Sequence, residues 1–307
     1  MGVFEPLAGV LLVAVALDAL FGEPPNAAHP VAYVGTAISK ILRFAPTRVP
    51  FHQFTFGAFL AFALPLAVAG IAVLFLRGSA RVPVIQALLA CAFVKCSFAL
   101  RALADAGLTV RTDLERSVEA ARRDLSSLCS RDASDLDEPE LVAATVESLA
   151  ENCSDSFVAP IFYYVLFGVP GAVAYRVINT LDAMVGYRGR FEYLGKVAAR
   201  LDDVVNFVPA RLTALALLAA GALLGRDVRQ GVRILRRDRG LTESPNAGHP
   251  MAAMAGLLRI QLTKKDAYRL GDPLEPLAPD KIRDAQRVLL VAGGCVTLVA
   301  LVAIHFR

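Results

Sequence analysis

The stretch FTFGAFLAFALPLAVAGIAVLFL, residues 54–76, decides the fold because it is apolar and carries no charge. A helix needs about 20 mostly apolar residues to cross a bilayer, and this stretch has that length. The whole chain has the same character, with 56% hydrophobic and only 20% charged residues. A soluble protein would expose large apolar patches with such a composition and would aggregate. The sequence therefore predicts an integral membrane protein.

Six apolar windows of spanning length run along the chain. They lie at 3–21, 54–76, 83–104, 157–178, 204–224 and 288–305. The window at 157–178 is interrupted by Pro160, Gly168, Pro170 and Gly171. Such breaks favour a kinked or re-entrant segment, since backbone groups freed inside a membrane must find other partners. We predict an all-α, polytopic membrane protein with five or six spans, forming a single domain over residues 1–307.

Two long polar loops, at 105–156 and 225–287, carry amphipathic helices. Residues 113–129 place apolar side chains on one stripe and charges opposite, which predicts a first helix. A second helix begins near Pro139 and continues through Glu151, since proline favours the first turn. The sequence RDVRQGVRILRRDRG, residues 226–240, predicts an Arg-rich surface helix on anionic lipid.

The basic residues indicate how the chain is oriented. The net charge of +4 is too small to indicate a nucleic-acid partner. With six spans, the loops at 22–53, 105–156 and 225–287 lie on one side and hold 21 of the 32 lysines and arginines. The positive-inside rule places that side in the cytoplasm. The segment at 176–203 then falls on the other side, unless residues 157–203 form a re-entrant hairpin.

The first polar block is DALFGEPPNAAHP, residues 18–30, directly after the first apolar window. An aspartate at the end of a span is costly unless it is paired or hydrated, so Asp18 indicates a function. Gly22 and the prolines predict a sharp turn that holds His29 near the membrane surface. A solvated interfacial loop explains the block equally well.

The second polar block begins with ESLAENCSDS, residues 147–156. Glu147 and Glu151 share a helix face, and Asp155 joins them if the helix continues. Asn152 lies beside these three carboxylates. Oxygen ligands of this kind suit Mg²⁺, which keeps several waters and bridges to substrate phosphates. The alternative is an ordinary solvated acidic face.

The same block continues with acids and amides at helical spacing, followed by Arg211 inside the fifth window. Arginine within a span usually faces a polar cavity or a partner, so this cluster predicts a functional site. Its members are Asn179 and Asp182, then Tyr187 and Arg188, then Asp202, Asp203 and Asn206.

The third polar block is ESPNAGHPMAAMAG, residues 243–256. Ser244, Asn246 and Gly248 favour a turn with exposed backbone donors, which could cradle a phosphate. A simple helix start is the alternative. The chain contains neither G-x-x-x-x-G-K-[ST] nor G-x-G-x-x-G, so the sequence does not indicate a standard nucleotide-binding fold.

Taken in order, these blocks resemble the CobD/CbiB family of cobalamin-biosynthesis membrane proteins. The resemblance is carried by DALFGEPPNAAHPVAYVG, by ESLAENCSDSFVAPIFYY with NTLDAMVGYR and RLDDVVNFVPARLTA, and by ESPNAGHPMAAMAGLL. The chain departs from the family pattern at two positions. Glu23 stands where aspartate is expected, and His249 stands where an aromatic residue is common.

The resemblance implies adenosylcobinamide-phosphate synthase activity in the cytoplasmic membrane. Such an enzyme joins aminopropanol, or its O-phosphate, to a propionate carboxylate of adenosylcobyric acid, with ATP and Mg²⁺ driving amide formation. Other cobalamin-assembly enzymes are expected partners, together with the lipid bilayer.

This chemistry assigns expected roles to the polar residues. A carboxylate must be activated before an amine attacks it, and phosphoryl transfer needs metal and cationic groups around the phosphate. The expected metal ligands are Glu147, Glu151 and Asp155, with Asp202, Asp203 and Asn206 as a second metal or polar shell. The expected catalytic residues are Asp18, His29 as the base, and Arg188 and Arg211 as phosphate partners. The expected substrate or phosphate binders are Asn152, Asn179, Asp182, Tyr187, Ser244, Asn246 and Gly248.

Three other interpretations remain open. A transporter or channel would use Lys95, Arg101 and Arg211 to line a pathway. A non-catalytic membrane sensor resembling the AmpE proteins would need no complete set of polar blocks. An intramembrane prenyltransferase would use the D-D-x-x-N pattern at 202–206 to bind a metal diphosphate.

Overall fold

A computed structural model describes residues 7–25, 27, 29–129, 132–187, 189 and 191–307. Arg188, an expected phosphate partner, lies outside these residues. The described chain is mostly helical and contains one two-stranded sheet. The all-α prediction is confirmed.

Four helical segments are long and apolar enough to cross a membrane. They are Pro50–Gly78, Pro83–Leu114, Glu138–Val185 and Asp280–His305. A fifth is counted if the bent pair Lys196–Val205 and Phe207–Leu223 forms one broken span. Within the described residues, the first predicted window gives the helix Leu7–Phe21, which counts 15 residues there. A polytopic helical membrane protein is confirmed, with four or five long spans and shorter apolar helices.

The chain divides into two compact units, each built from separate segments. Unit 1 comprises the residues up to Ala99, Ala159–Asn206 and Ala300–Arg307; unit 2 comprises Leu100–Val158 and Phe207–Val299. The interpretation of the chain as a single domain stays a prediction.

The described residues of unit 1 form six α-helices. They are α1 (Leu7–Phe21), α2 (Pro30–Leu42), α3 (Pro50–Gly78), α4 (Pro83–Lys95), α8 (Ala159–Val185) and α9 (Lys196–Val205). Ile38 of α2, Leu60 of α3, Leu181 of α8 and Ala198 of α9 meet in one buried cluster. Because this cluster binds the end of α8 to α9, it fixes the position of the polar side chains that both helices carry.

Helix α8 is broken at Gly168, which has φ 66° and ψ −155°. Only glycine adopts such a conformation without strain, and Pro170 removes a further backbone donor. The predicted break in the window at 157–178 is confirmed.

Unit 2 contains six further helices and the sheet. The helices are α5 (Leu100–Leu114), α6 (Val118–Leu125), α7 (Glu138–Cys153), α10 (Phe207–Leu223), α11 (Val228–Asp238) and α12 (Gly248–Leu258). Most of α13 (Asp280–His305) also belongs to it. Strand β1 (Gln261–Lys264) pairs antiparallel with β2 (Tyr268–Gly271), so that Gln261 lies opposite Gly271.

Helix α7 forms the centre of unit 2. Every residue from Leu141 to Ala150 is buried, so the helix is enclosed on all sides. Its start is fixed by a capping box, in which Asp137 accepts from the Glu140 backbone and Glu140 accepts from the Asp137 backbone. The predicted helix from Pro139 through Glu151 is confirmed. A π-helical turn, Ser154–Val158, follows directly.

The predicted helix over residues 113–129 is wrong in its extent. Residues up to Leu114 belong to α5, and α6 begins only at Val118 because the side chain of Ser117 caps its backbone. A serine at this position favours a new helix start over continuation. The Arg-rich helix is confirmed as α11, whereas no sequence pattern predicted the hairpin of β1 and β2.

Candidate functional site

The first polar block forms a buried ion-pair network in unit 1. Asp18 lies in the last turn of α1 and is only 3% exposed. The ammonium of Lys95, at the end of α4, lies 3.1 Å from Oδ1 of Asp18 and also binds Glu23. Glu23 in turn contacts the ring of His29. Lys95 therefore binds the carboxylates of both Asp18 and Glu23, and Glu23 also binds His29.

His29 has both ring nitrogens engaged. Its Nδ1 accepts from the Val31 backbone at 3.1 Å and so caps α2, while its Nε2 contacts Glu23. The expected role of His29 as a general base therefore requires one of these two contacts to open. His29 thereby lies at the start of α2 as its cap.

Lys95 and Glu23 were not predicted as members of this site. Lys95 was interpreted only as a pathway residue of a transporter. A lysine inside an apolar window needs an acidic partner, and Asp18 and Glu23 are acids at the end of another apolar window. That requirement was the signal that could have identified the network.

A second cluster in unit 1 joins α8 to α9 through Asn206. Its Nδ2 donates to Oδ2 of Asp202 at 2.9 Å, and its Oδ1 accepts from the hydroxyl of Tyr175 at 2.8 Å. Asn206 is 2% exposed, so both bonds are shielded from water. The ring of Tyr175 stacks on Tyr163, with centroids 5.4 Å apart. These two tyrosines were not predicted, although a phenol in an apolar helix usually marks a buried polar partner.

Asp182 and Asp203 lie close enough to Asp202 for their charges to act on it. The carboxylate of Asp182 folds over Gly186, where an added Cβ would lie 2.1 Å from Oδ1. Oδ1 of Asn179 accepts from Arg176 at 3.4 Å, and Asp203 lies 3.4 Å from Arg200. The structure thus brings the predicted acids and amides of α8 and α9 together, while the side chain of Tyr187 is half exposed.

The acidic stretch of α7 lies in unit 2. Glu147 is buried, whereas Glu151 and Asp155 are partly exposed. Asn152 donates to the Ser148 carbonyl at 2.9 Å and to the Leu128 carbonyl at 3.4 Å, which ties α7 to the loop after α6. The charge of Lys264, on β1, acts on Glu151.

The three carboxylates do not form a ligand group of the predicted kind. Among the residues that the structure describes, no three His, Cys, Asp or Glu side chains are grouped so that they could hold a metal ion. Asp155 lies in the π-helical turn, where the wider i→i+5 repeat shifts it off the i, i+4 stripe of Glu147 and Glu151. Among the described residues, the acids of α9 do not form a three-ligand metal group either.

Arg211 joins the second and third polar blocks within unit 2. Its Nη1 donates to the Phe207 carbonyl at 2.6 Å and to Oδ1 of Asn246 at 3.0 Å. Its guanidinium carbon lies 3.5 Å from the centroid of the Phe207 ring, within the range of a cation–π contact. The backbone N–H of Asn246 is itself held by Oγ of Ser244 at 3.2 Å. The turn predicted at 243–248 therefore contacts Arg211 through Asn246.

Gly248 and His249 complete this region. A Cβ at Gly248 would lie 2.3 Å from the Arg239 carbonyl, so a larger residue would push the start of α12 away from the end of α11. Burial lowers the pKa of His249, and the charges of Arg211 and Arg239 lower that pKa further. The imidazole is therefore biased toward its neutral form.

Comparisons with known proteins agree with the resemblance of the polar blocks. The sequence model of the family described as CobD/Cbib protein matches residues 11–289. A cobalamin biosynthesis protein CobD from Dehalococcoides mccartyi is 44% identical over 302 residues, which cover 97% of each chain. A probable cobalamin biosynthesis protein CobD from Methanothermobacter thermautotrophicus is 41% identical, covering 91% of this chain and 92% of that one. No solved structure matches. The chain belongs to the CobD/CbiB family of cobalamin-biosynthesis proteins.

Proposed function

We propose that this protein is an adenosylcobinamide-phosphate synthase. It forms an amide between a propionate carboxylate of adenosylcobyric acid and (R)-1-amino-2-propanol or its O-phosphate. The observation that best supports this proposal is the bond from Arg211 to Asn246, which unites two polar blocks 35 residues apart around a cation. Cations surrounded by amide and hydroxyl groups are suited to phosphate chemistry.

The reaction needs a carboxylate that has been made a good acyl donor. ATP with Mg²⁺ would supply this by transferring its terminal phosphoryl group to the propionate oxygen. The amine nitrogen then bonds to the acyl carbon as the carbon–oxygen bond to phosphate breaks, and one proton leaves the nitrogen. Phosphate departs with the electron pair of that bond.

Each unit, taken by itself, carries candidate residues for these steps. In unit 2, Arg211 offsets phosphate charge while Asn246 fixes the direction of its guanidinium. In unit 1, the carboxylates of Asp182 and Asp202 are candidates to orient the amine and accept its proton. His29 is a further candidate base once its contact with Glu23 opens.

Mg²⁺ needs fewer protein ligands than a structural metal. It commonly uses one or two carboxylates and completes its shell with water and substrate phosphates. Glu147 and Glu151, one turn apart on α7, fit this requirement without a third protein ligand. Asp155 is a candidate to hold a metal-bound water.

The bilayer and the cytoplasm have distinct parts in the proposal. The four long apolar helices hold the protein in the cytoplasmic membrane, and the loops rich in lysine and arginine face the cytoplasm. Adenosylcobyric acid is large and amphipathic, so it can rest at the membrane interface while ATP arrives from water.

A coupling assay tests the proposal. The full-length protein in nanodiscs receives adenosylcobyric acid, Mg²⁺, ATP and either aminopropanol or its O-phosphate, and products are identified by mass spectrometry. We expect a product in which the mass increases by one amine less one water, with one ADP formed per amide. Amide formation without ATP, or ATP use without any amide, would contradict the proposal.

Matched variants connect the assay to the site. Asp202→Asn removes a half-buried carboxyl group of α9, whereas Glu192→Gln removes an exposed charge of the same unit. We expect the first to lose most of its turnover and the second to retain it. A transporter would instead move a solute across sealed vesicles without making an amide, and a sensor would do neither.

A further inference from the structure

The charges of two arginines of unit 2 act on a buried histidine, and neither arginine has an acidic partner among the described residues. Arg211 of α10 and Arg239, at the end of α11, are the charged groups that act on His249. Within the described residues, the only hydrogen-bond acceptors of the Arg211 side chain are the Phe207 carbonyl and Asn246. The side chain of Arg239 forms no ion pair there. Two uncompensated positive charges at one place favour an anion.

Two other arginines of unit 2 have carboxylate partners. Arg237, two residues before Arg239, binds Asp238 at 2.6 Å and Asp272 at 2.8 Å. Arg226 binds Asp284 at 2.9 Å. Among the described residues, Arg239 and Arg211 differ from Arg237 and Arg226 in having no carboxylate partner.

His249 supplies an independent observation. It is 9% exposed, and its Nδ1 is buried with no hydrogen-bond partner in the part of the chain that the structure describes. A buried polar atom without a partner costs about 1–3 kcal/mol, so such an atom usually has a ligand or water as its partner. The nitrogen belongs to the same residue on which both arginines act.

We propose that Arg211, Arg239, His249 and Asn246 form a binding subsite for a phosphoryl group. This inference rests on the proposed function and assigns one of its phosphate groups to named residues. Guanidinium forks match the spacing of phosphate oxygens, and the free N–H groups of Arg211 are available for them. A neutral imidazole donates to one further oxygen through Nδ1–H.

The surrounding chain holds the subsite in shape. The Arg239 carbonyl packs against Gly248, and the Thr242 hydroxyl donates to the Ser244 carbonyl at 2.8 Å. The His249 backbone N–H donates to the Asn246 carbonyl at 3.1 Å. The ends of α11 and α12 are therefore fixed close together before a ligand arrives.

The phosphoryl group has two possible sources in the proposed reaction, the nucleotide and the amine O-phosphate. Both present the same tetrahedral oxyanion. Variants of Arg239 and His249 distinguish them, because the Michaelis constant of only the bound substrate will rise.

The direct test measures binding of inorganic phosphate to the full-length protein in detergent by ³¹P NMR. Arg239→Gln and His249→Phe are compared with Arg236→Gln, which removes an exposed charge from the same helix. We expect about tenfold weaker phosphate binding in the first two variants and no change in the third. His249→Asn, which keeps a donor near Nδ1, should restore part of the affinity.

Turnover assays with the same variants identify the source. A higher Michaelis constant for ATP alone assigns the subsite to the nucleotide, and a higher one for the amine O-phosphate alone assigns it to the amine. Unchanged phosphate binding in Arg239→Gln and His249→Phe, with unchanged elution on gel filtration, would overturn the subsite. Phosphate binding needs no turnover, so a protein that binds phosphate through these residues but forms no amide would refute only the proposed function.

Discussion

The ammonium of Lys95 lies 3.1 Å from Oδ1 of Asp18, and both side chains are more than nine-tenths buried. This pair connects the end of α4 to the end of α1, and Glu23 extends it toward His29. Removing one member of a buried pair leaves a charge without compensation, which costs about 3–5 kcal/mol. The pair therefore matters for stability as well as for the site.

We expect Lys95→Met to lower the thermal stability of the detergent-solubilised protein strongly. Arg101→Gln serves as the control, since its partner Asp105 is 60% exposed and such pairs contribute about 0–1 kcal/mol. Adding Asp18→Asn and Glu23→Gln to Lys95→Met removes the uncompensated charges and should recover part of the loss. Circular dichroism measured during heating gives the comparison. Equal effects of Lys95→Met and Arg101→Gln would contradict the buried network.

The spans were predictable because they depend on composition over many residues. The long apolar windows at 54–76 and 288–305 fall within α3 and α13, and the break at Gly168 follows from glycine and proline chemistry. Local caps also carried a strong signal, as Asp137 and Pro139 set the start of α7. These features arise from interactions within a few turns of the chain.

The partners of the polar residues were not predictable in the same way. Lys95 and Asp18 are 77 residues apart in sequence, and only the packing of α1 against α4 brings them together. The hydrogen bond between Tyr175 and Asn206 likewise depends on the close approach of α8 and α9. The π-helical turn at Ser154–Val158 shifted Asp155 by a fraction of a turn, and no residue pattern indicated it.

Gly186→Ala should disable Asp182 while leaving the membrane helices folded. The new Cβ would lie 2.1 Å from Oδ1 of Asp182, so the carboxylate must move. A displacement of about 1 Å at a reacting group costs roughly 100-fold in rate. Amide formation in the coupling assay measures the loss.

Two further variants test whether the loss of turnover in Gly186→Ala depends on Asp182. In α3, Gly70→Ala meets no heavy atom within 4 Å, and its turnover should match the wild type. Combining Gly186→Ala with Asp182→Asn should lower turnover no further than Asp182→Asn alone. Additive losses would show that Gly186 acts independently of that carboxylate.

Tyr175→Phe removes the hydroxyl that donates to Oδ1 of Asn206. The amide oxygen then lacks a partner in a buried environment, so stability should fall by about 1–3 kcal/mol. Turnover should fall as well, because Asn206 would no longer hold Asp202 in one direction. Tyr193→Phe, at a half-exposed tyrosine of the same unit, should leave both quantities unchanged. If Tyr175→Phe retains full stability, Asn206 does not depend on this bond.

The stability of the protein should depend on pH through His249. Burial and the charges of Arg211 and Arg239 lower the pKa of His249 in the folded state. The unfolded chain therefore binds a proton first, near its ordinary pKa of about 6.5, and folding stability falls as the pH decreases below that value. Above about pH 7 the histidine is neutral in both the folded and the unfolded chain, so it no longer lowers the stability.

Melting temperatures measured from pH 8 to pH 5 test this linkage in detergent. We expect the wild type to lose more stability at low pH than His249→Phe, which has no group to titrate there. His52→Gln changes an exposed histidine and should follow the wild-type curve. Parallel curves for the wild type and His249→Phe would exclude His249 as the source.

The acids of α7 should set the magnesium requirement of the reaction. Replacing Glu151 by Gln keeps the shape of the side chain but removes a hard, charged oxygen ligand. Replacing Asp155 by Asn also keeps the shape but removes the charge that would hold a metal-bound water. We expect the Mg²⁺ concentration for half-maximal amide formation to rise by about 10–100-fold in each variant.

Glu138→Gln removes a charge from the exposed first turn of the same helix, so its Mg²⁺ dependence should stay close to that of the wild type. Because among the described residues no third acid joins Glu147 and Glu151, excess Mg²⁺ should restore turnover in Asp155→Asn more fully than in Glu151→Gln. Wild-type Mg²⁺ dependence in both variants would move the metal away from α7.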